Sequence, residues 1–349
     1  VDAGGLSLGL STAPMWWGPG LRNAIIMSNN APGFPHGFLG THHPLGTGIG
    51  AFEGRWIWGR LGQSEWFAPS VPNEEDRFIT GIVVSYSPSF LDGLTIGITR
   101  VFTVLVSAEG VPVGDYFAVF NGLRKRAMIT PSNPTGDDPY DQLASLFGRW
   151  VLSNSGFELY WEWARNDHSW ELRDFLLEPE HSQAYTIGLQ KSIDLAGRNV
   201  LALRAELTHL EADPTFQVRP KGTYYQHAPV TQGYTHEGQI IGAGIGPGGN
   251  SQYIGLDYYD PSGRLGLYVE RQVHDNDAYY AWAEANDQTY CCHDVSLHLG
   301  AHGLRFVGDF DLGAGFVMTR EYNRYFFGKD LWNLNLSLSA RWRSRLLAS

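Results

Sequence analysis

The chain of 349 residues carries a formal net charge of −11, with 42 glycines and 13% aromatic residues. An acidic balance argues against a nucleic-acid partner, because neutralising phosphates needs a basic face or stripe; the one basic cluster, Arg124-Lys125-Arg126, reads as a solvated loop. Glycine together with aromatics favours one large all-β domain over residues 1–349 rather than two ordinary domains, and no run of 18 apolar residues offers a spanning helix.

In chain order, period-two alternation marks strands at about 5–13, 53–67, 77–88, 93–106 and 142–153, then within "GFELYWEWARND", Gly156 to Asp167, and again at about 183–193, 199–211, 251–260, 263–274 and 292–301. In the sixth of these, Phe157, Leu159, Trp161 and Trp163 share one face while Glu158, Tyr160 and Glu162 share the other, as a strand between an apolar and a polar phase requires. A further alternating run covers 304–319, with Leu304, Phe306, Phe310, Leu312, Phe316 and Met318 against Arg305, Asp309, Asp311 and Thr319, and a last one covers 332–342. About thirteen strands result. Tight hairpins are expected at Asn154-Ser155-Gly156, Asp260-Pro261-Ser262-Gly263 and Ala301-His302-Gly303. Helical turns are expected only in parts of 116–128 and 278–286. The adjacent pair Cys291-Cys292 fits neither a disulfide framework nor a zinc spacing and reads as a strand end.

A soluble sandwich would also alternate, so what separates the two readings is the chemistry of the faces. Here the polar faces carry many charges, and Trp56, Trp58, Trp161, Trp163, Trp332 and Trp342 sit near strand ends, as in the aromatic girdles of outer-membrane barrels. Strands of this length suit a tilted crossing of a ~30 Å hydrocarbon layer. The expected fold is an all-β, antiparallel transmembrane β-barrel of the outer membrane. Short turns such as 154–156 contrast with the long stretches 14–52, 107–140 and 212–250, rich in Gly, Pro, Asn and aromatics. Long loops in an ordered protein are more often functional or folded inward than slack, so these are expected to be extracellular, folded over the lumen, and to carry the function.

The stretch "MWWGPG", Met15 to Gly20, followed by "SNNAPGFP", Ser28 to Pro35, resembles the signature region of the Wzi-type capsule assembly proteins. A looser match, "YTHEGQIIGAGIGPGGNSQYIGLDYY", covers Tyr234 to Tyr259. The resemblance implies an outer-membrane barrel of a Gram-negative-type bacterium that binds and helps anchor capsular polysaccharide, with a lumen closed by loops and a periplasmic helical region preceding the motif. This chain opens at Val1 with no charged n-region or h-region. The expectation is therefore part of a larger barrel, lacking its signal peptide, helical region and several strands. The family's usual aromatic ending is replaced by "RSRLLAS" after Trp342, which puts barrel closure in question.

A polysaccharide offers hydroxyls and apolar C–H faces, so its receptor needs aromatic planes with amide or guanidinium partners. Trp16, Trp17, Arg22, Asn29 and Asn30 supply those types, with Gly18-Pro19-Gly20 fixing the chain's direction. Tyr234 and His236 are further candidates from the third long stretch. Two readings stand for the first group: direct sugar contact, or an inward-folded plug whose tryptophans fill space and whose asparagines satisfy backbone groups. No metal or cofactor is expected, because the spacing of His227, His236 and Glu237 shows no convergence. His36, His42 and His43 are read with the same caution. No nucleophile elbow, His-Glu-x-x-His pair or Walker loop is present, and paired carboxylates such as Glu158 and Glu162 read as barrel-wall charges, so an enzyme is not expected. The expected partners are capsular or other surface polysaccharide and outer-membrane lipid. The leading reading is a surface lectin, its rival a porin or substrate channel, and a third a lipid-modifying enzyme of the outer membrane.

Overall fold

The computed structural model describes residues 1–64, 76–107, 109–120, 140–166, 176–178, 180–213, 222–227, 230, 232–285 and 289–343. The Arg124-Lys125-Arg126 cluster lies outside them.

Among the described residues the chain forms eighteen strands: β1 (Asp2–Ala3), β2 (Leu6–Ser11), β3 (His36–Thr41), β4 (Leu45–Thr47), β5 (Gly50–Leu61), β6 (Arg77–Pro88), β7 (Leu94–Leu105), β8 (Asp141–Leu152), β9 (Phe157–Asn166), β10 (Gln183–Leu195), β11 (Asn199–His209), β12 (Thr235–His236), β13 (Gln239–Ile240), β14 (Asn250–Asp260), β15 (Gly263–His274), β16 (Asp294–Val307), β17 (Phe310–Tyr322) and β18 (Leu331–Trp342). Two short helices, α1 (Val113–Tyr116) and α2 (Asn276–Glu284), lie in connections. The fold is thus all-β, with eighteen strands where the alternation predicts about thirteen. The additional ones are β1, β3, β4, β12 and β13, short segments that read as loop because glycine, histidine and turn residues interrupt their pattern.

Sequential neighbours pair antiparallel along the path β1-β2-β3-β5-β6-β7-β8-β9-β10-β11-β14-β15-β16-β17-β18, with β4 beside β5 and β12-β13 a separate hairpin. Among the described residues no ladder joins β1 to β18. No described helix is long and apolar enough to cross a membrane, which says nothing of strands.

Three sequence expectations are corrected here. The alternating run 304–319 is not one strand: Leu304 to Val307 finishes β16, the chain reverses at Gly308 (φ +60°) and Asp309, and β17 begins at Phe310. Ala301-His302-Gly303 is accordingly mid-strand, paired to Leu265–Leu267, and His302 is held there by its imidazole against Asp257 at 2.9 Å. Cys291 and Cys292 are not strand-end thiols. They precede β16 and are bonded to each other; framework spacing concerns bridges between distant segments, and a bond between neighbouring residues closes no such loop.

The chain divides into two compact units, residues 1–150, 160–186 and 210–248 in the first and 151–159, 187–209 and 249–349 in the second. The first holds the apolar core. Ile57, Leu61, Ile79, Val101 and Leu143, alternate residues on one face of β5 to β8, pack against Met15, Trp17, Ile25, Ile26, Met27 and Phe34 of the β2–β3 connection and against Tyr224, Tyr225, Tyr234 and Ile241. The opposite face of β5 to β7 is covered by residues 113–120, with Phe102, Ala118 and Val119 buried and Trp56 packed on them. Trp56 and Trp58 are therefore mid-strand, an edge-to-face pair at 5.0 Å, rather than at a strand end.

In the second unit the polarity is inverted relative to a water-soluble sheet. Asp257 and Glu270 are 1% and 2% exposed, whereas Ile254, Leu265, Leu267 and Leu299 are 61%, 55%, 55% and 46% exposed. Asp257 is hydrogen-bonded to His302 through Oδ1 and paired with the Arg204 charge at Oδ2, each at 2.9 Å. Carboxylates on the covered face and aliphatics on the open face are stable only where the surroundings of the open face are themselves apolar, since water would invert the preference. Trp332 and Trp342 mark the two ends of β18, as the sequence suggests.

Connections are unequal at the two ends of the strands. Gly156, Pro261-Ser262 and Gly308-Asp309 belong to tight reversals, whereas 12–35, 106–140, 210–249 and 275–293 are long.

Candidate functional site

The β2–β3 connection is a buried loop, and a buried loop must find a partner for each backbone polar group. Its stem is closed on itself where the Trp17 N–H donates to the Met27 carbonyl at 3.0 Å. Strands then supply the rest: Ile25 N–H donates to Glu162 Oε2 at 3.0 Å, and the Thr186 hydroxyl donates to the Asn23 carbonyl at 3.3 Å. Gly18 sits at φ +110°, and a Cβ there would lie 2.8 Å from Glu162 Oε2, so the turn needs glycine for conformation and for space.

Tyr225 and residues 240–243 clamp the same loop from its other side. The Tyr225 hydroxyl donates to the Ile25 carbonyl at 2.6 Å and accepts from Ala243 N–H at 2.8 Å. Ser28 donates through N–H to Ile241 and through its hydroxyl to Gly242, at 2.8 and 2.6 Å. The Asn30 amide donates to the Ile240 carbonyl at 2.9 Å, and its backbone N–H donates to the Ser28 hydroxyl at 3.0 Å. Burial raises the Tyr225 and Tyr234 hydroxyls well above the ordinary tyrosine range, so both are neutral, and that of Tyr225 keeps the proton it donates to Ile25.

Arg77, fully buried at the start of β6, fastens the clamp. It donates to the Gly233 carbonyl at 2.7 Å, the Gly62 carbonyl at 2.9 Å and the Thr235 hydroxyl at 3.1 Å. Gly62 N–H in turn donates to His236 Nδ1 at 3.0 Å, which places the neutral ring's proton on Nε2. Burial holds the His236 pKa below its usual value; Glu237 opposes that and the Arg77 charge adds to it. Phe34 meets the His236 ring edge-on at 5.9 Å.

The seven candidates therefore separate into two sets. Trp17, Tyr234 and His236 are 5%, 1% and 4% exposed and hold the two segments together. Trp16, Arg22, Asn29 and Asn30 lie on the open surface of the loop, with the Trp16 indole N–H donating to the Gly20 carbonyl at 2.9 Å. Beside the loop's stem a cleft of about 940 Å³ opens, lined among others by Ser11, Pro35, Trp58, Arg60, Phe78 and Tyr116. Glu162, Arg77 and Tyr225 escape sequence reasoning as parts of this assembly. Each sits in an alternating strand or a polar loop, and its partner lies more than a hundred residues away.

No group of three or more potential metal ligands occurs among the described residues. A rigid loop with an indole, a guanidinium and two carboxamides on its open side presents stacking and hydrogen-bonding groups with little conformational entropy left to lose.

A comparison with curated protein sequences gave no match. Among solved structures the chain is similar to Wzi, an outer membrane protein involved in group 1 capsule assembly in Escherichia coli and described as a carbohydrate binding β-barrel, with a TM-score of 0.65 and 14% identity over 97% of this chain. This chain spans 66% of that structure's length, and at such identity the likeness is one of fold. The family model for the capsule assembly protein Wzi matches residues 1–315, so the chain belongs to the Wzi family of capsule assembly proteins.

Proposed function

We propose that this protein is an outer-membrane lectin of capsule assembly, a barrel that binds exported polysaccharide through its long connections and retains it at the cell surface. The observation that carries the reading is the clamped β2–β3 loop, whose buried half is fixed by Glu162, Thr186, Tyr225 and Asn30 and whose open half carries Trp16, Arg22 and Asn29. Family membership and the carbohydrate binding described for the solved relative support the choice of ligand. The outward aliphatics of the second unit suit a lipid surround, and in such barrels the tight turns face the periplasm and the long connections face outside.

Binding without catalysis is part of the proposal. The Glu162 carboxylate at the loop is committed to a backbone N–H rather than poised beside an open site. The porin reading is weaker in the first unit, where the long connections pack on the strand faces as an apolar core.

Deletion in an encapsulated strain tests the proposal. Cells lacking the protein shed polysaccharide into the medium, and restoring the full-length chain returns it to the surface. Undiminished retention in the deletion strain, together with steady ion conductance of the purified protein in a planar bilayer, would replace the lectin by a channel.

A further inference from the structure

The second unit carries an aromatic cluster that the sequence reading leaves unused. It forms where α2 and the turn after β17 meet, in the long connections 275–293 and 323–330. Trp282 stacks on Tyr290 at 3.8 Å and 21°, Phe326 stands edge-on to Trp282 at 5.0 Å, Tyr279 lies 4.1 Å from the His293 ring, and Phe327 leans on Tyr290 at 5.4 Å. None of these rings belongs to the buried core. Tyr280, Tyr325 and Phe327 are 45%, 61% and 56% exposed. Tyr280 touches the Tyr279 and His293 rings at 5.4 and 5.5 Å and Phe327 touches Tyr290, while Tyr325 follows in the same turn under Arg324; rings left in water in this way forgo part of the stabilisation that burial would bring.

The turn that presents them is strained and firmly held. Asn323, Tyr325 and Phe326 have φ of +56°, +56° and +67°, a conformation in which side-chain-bearing residues cost free energy. Phe326 N–H donates to the Asn323 carbonyl at 2.7 Å, Tyr325 N–H to Asp294 Oδ2 at 2.8 Å, and Cys291 N–H to the Phe326 carbonyl at 3.0 Å. Asn323 donates through its amide to the His293 carbonyl at 2.9 Å and through its N–H to Asp330 at 3.1 Å. Arg324 lies over the Tyr325 ring at 4.8 Å and pairs with Glu321 at 3.2 Å. Rings fixed at set angles, rimmed by guanidinium, carboxylate and amide groups, are what a pyranose needs: a plane for its C–H face and polar partners for its hydroxyls.

We propose that Tyr280, Tyr325 and Phe327 form a second glycan platform, on which pyranose units of the exported polysaccharide stack. The proposal rests on the glycan-binding reading above and adds a site distinct from the β2–β3 loop. A lipid-facing role fits less well. The exposed band of β15 to β17 is largely aliphatic and ends at Tyr322, whereas these rings lie beyond the strands in connections carrying Arg324 and Asp330.

The test uses the full-length protein, in detergent and in vesicles, with oligosaccharide fragments cut from the purified surface polysaccharide of the source cells and maltohexaose as an unrelated glycan. Binding is read by calorimetry and tryptophan emission for wild type, for Tyr280→Ala/Tyr325→Gly and for Trp16→Ala/Asn29→Ala. Tyr325→Gly removes a ring at a position where glycine is unstrained, so folding is preserved, and an unchanged melting temperature checks it. The expected result is a rise of tenfold or more in Kd for the platform variant. A platform variant that binds like wild type overturns the platform; loss in the loop variant alone leaves the lectin reading standing. A wild type that binds no fragment overturns both. Quenching by brominated acyl chains that disappears in Trp282→Phe assigns the rings to lipid and likewise overturns the platform.

Discussion

Glu162, on β9, accepts the backbone N–H of Ile25 at 3.0 Å across 137 residues of sequence, and it is 1% exposed. A buried carboxylate on a backbone donor is a charge-assisted bond, and its removal leaves an amide without a partner where water does not reach. Glu162→Ala is expected to destabilise the β2–β3 loop by about 2–3 kcal/mol while leaving the strands folded. Limited proteolysis checks it: cleavage between Trp16 and Asn30 appears in the variant at protease levels that leave wild type whole. Equal resistance would mean that the bond contributes little.

Arg77→Met removes three hydrogen bonds from the clamp at once, leaving the Gly62 and Gly233 carbonyls with only the Glu237 and Thr235 N–H donors, at 3.0 and 2.9 Å. A cost of roughly 2–4 kcal/mol follows from the loss of buried hydrogen bonds to a charged group. The variant also has an electrostatic signature, because the Arg77 charge is one of the causes that hold the His236 pKa down. His236 should titrate at higher pH in Arg77→Met, read from the imidazole proton shifts by NMR. An unmoved titration would show burial acting alone.

What the sequence disclosed, and what it withheld, follows from the range of the forces. β6 is an apolar run and β15 alternates cleanly, each bounded by turn residues, so Arg77–Pro88 and Gly263–His274 are legible residue by residue. The charged face of β9 is legible too, and Glu158, Tyr160 and Glu162 are all buried. β3 is not, because its Gly37 is a packing feature: a Cβ there would lie 2.7 Å from the Trp58 indole nitrogen, a contact invisible to local pattern. The same limit governs the site. That Trp17 is buried and Trp16 is not depends on Met27, Gly81 and strand contacts far along the chain, so the pair reads as one feature in sequence and as two in structure. Cys291-Cys292 fails for the opposite reason, its bond being more local than the spacing rule considers.

Depth along a strand gives a test of the surroundings. Leu299, mid-strand on β16, and Val307, at its turn end, lie on the same open face and are 46% and 56% exposed. In a bilayer Leu299→Arg costs about 2–4 kcal/mol and Val307→Arg only about 0–1. Reversible unfolding in vesicles measures the difference. Two equally mild variants would place this face in water.

Asp275 supplies a pH dependence at the aromatic end of the second unit. It caps α2, accepting the Ala278 N–H at 3.2 Å from a left-handed backbone. Burial raises its pKa from 3.8 to about 6; the Ala278 hydrogen bond opposes the rise and the neighbouring Asp277 charge adds to it. Between those two values the folded state binds more protons than the unfolded, so stability falls as pH rises through the window and is recovered on acidification. Allowing for the solvent that reaches the side chain, ionisation costs about 1–2 kcal/mol. Amide exchange in α2 should therefore quicken, relative to its intrinsic rate, from pH 4 to 7 in wild type. Asp275→Asn keeps a capping oxygen without the charge, and it should abolish that trend and protect the helix better at pH 7. If wild type and variant follow one curve, the carboxyl titrates as an ordinary surface group and the cap is not under electrostatic load.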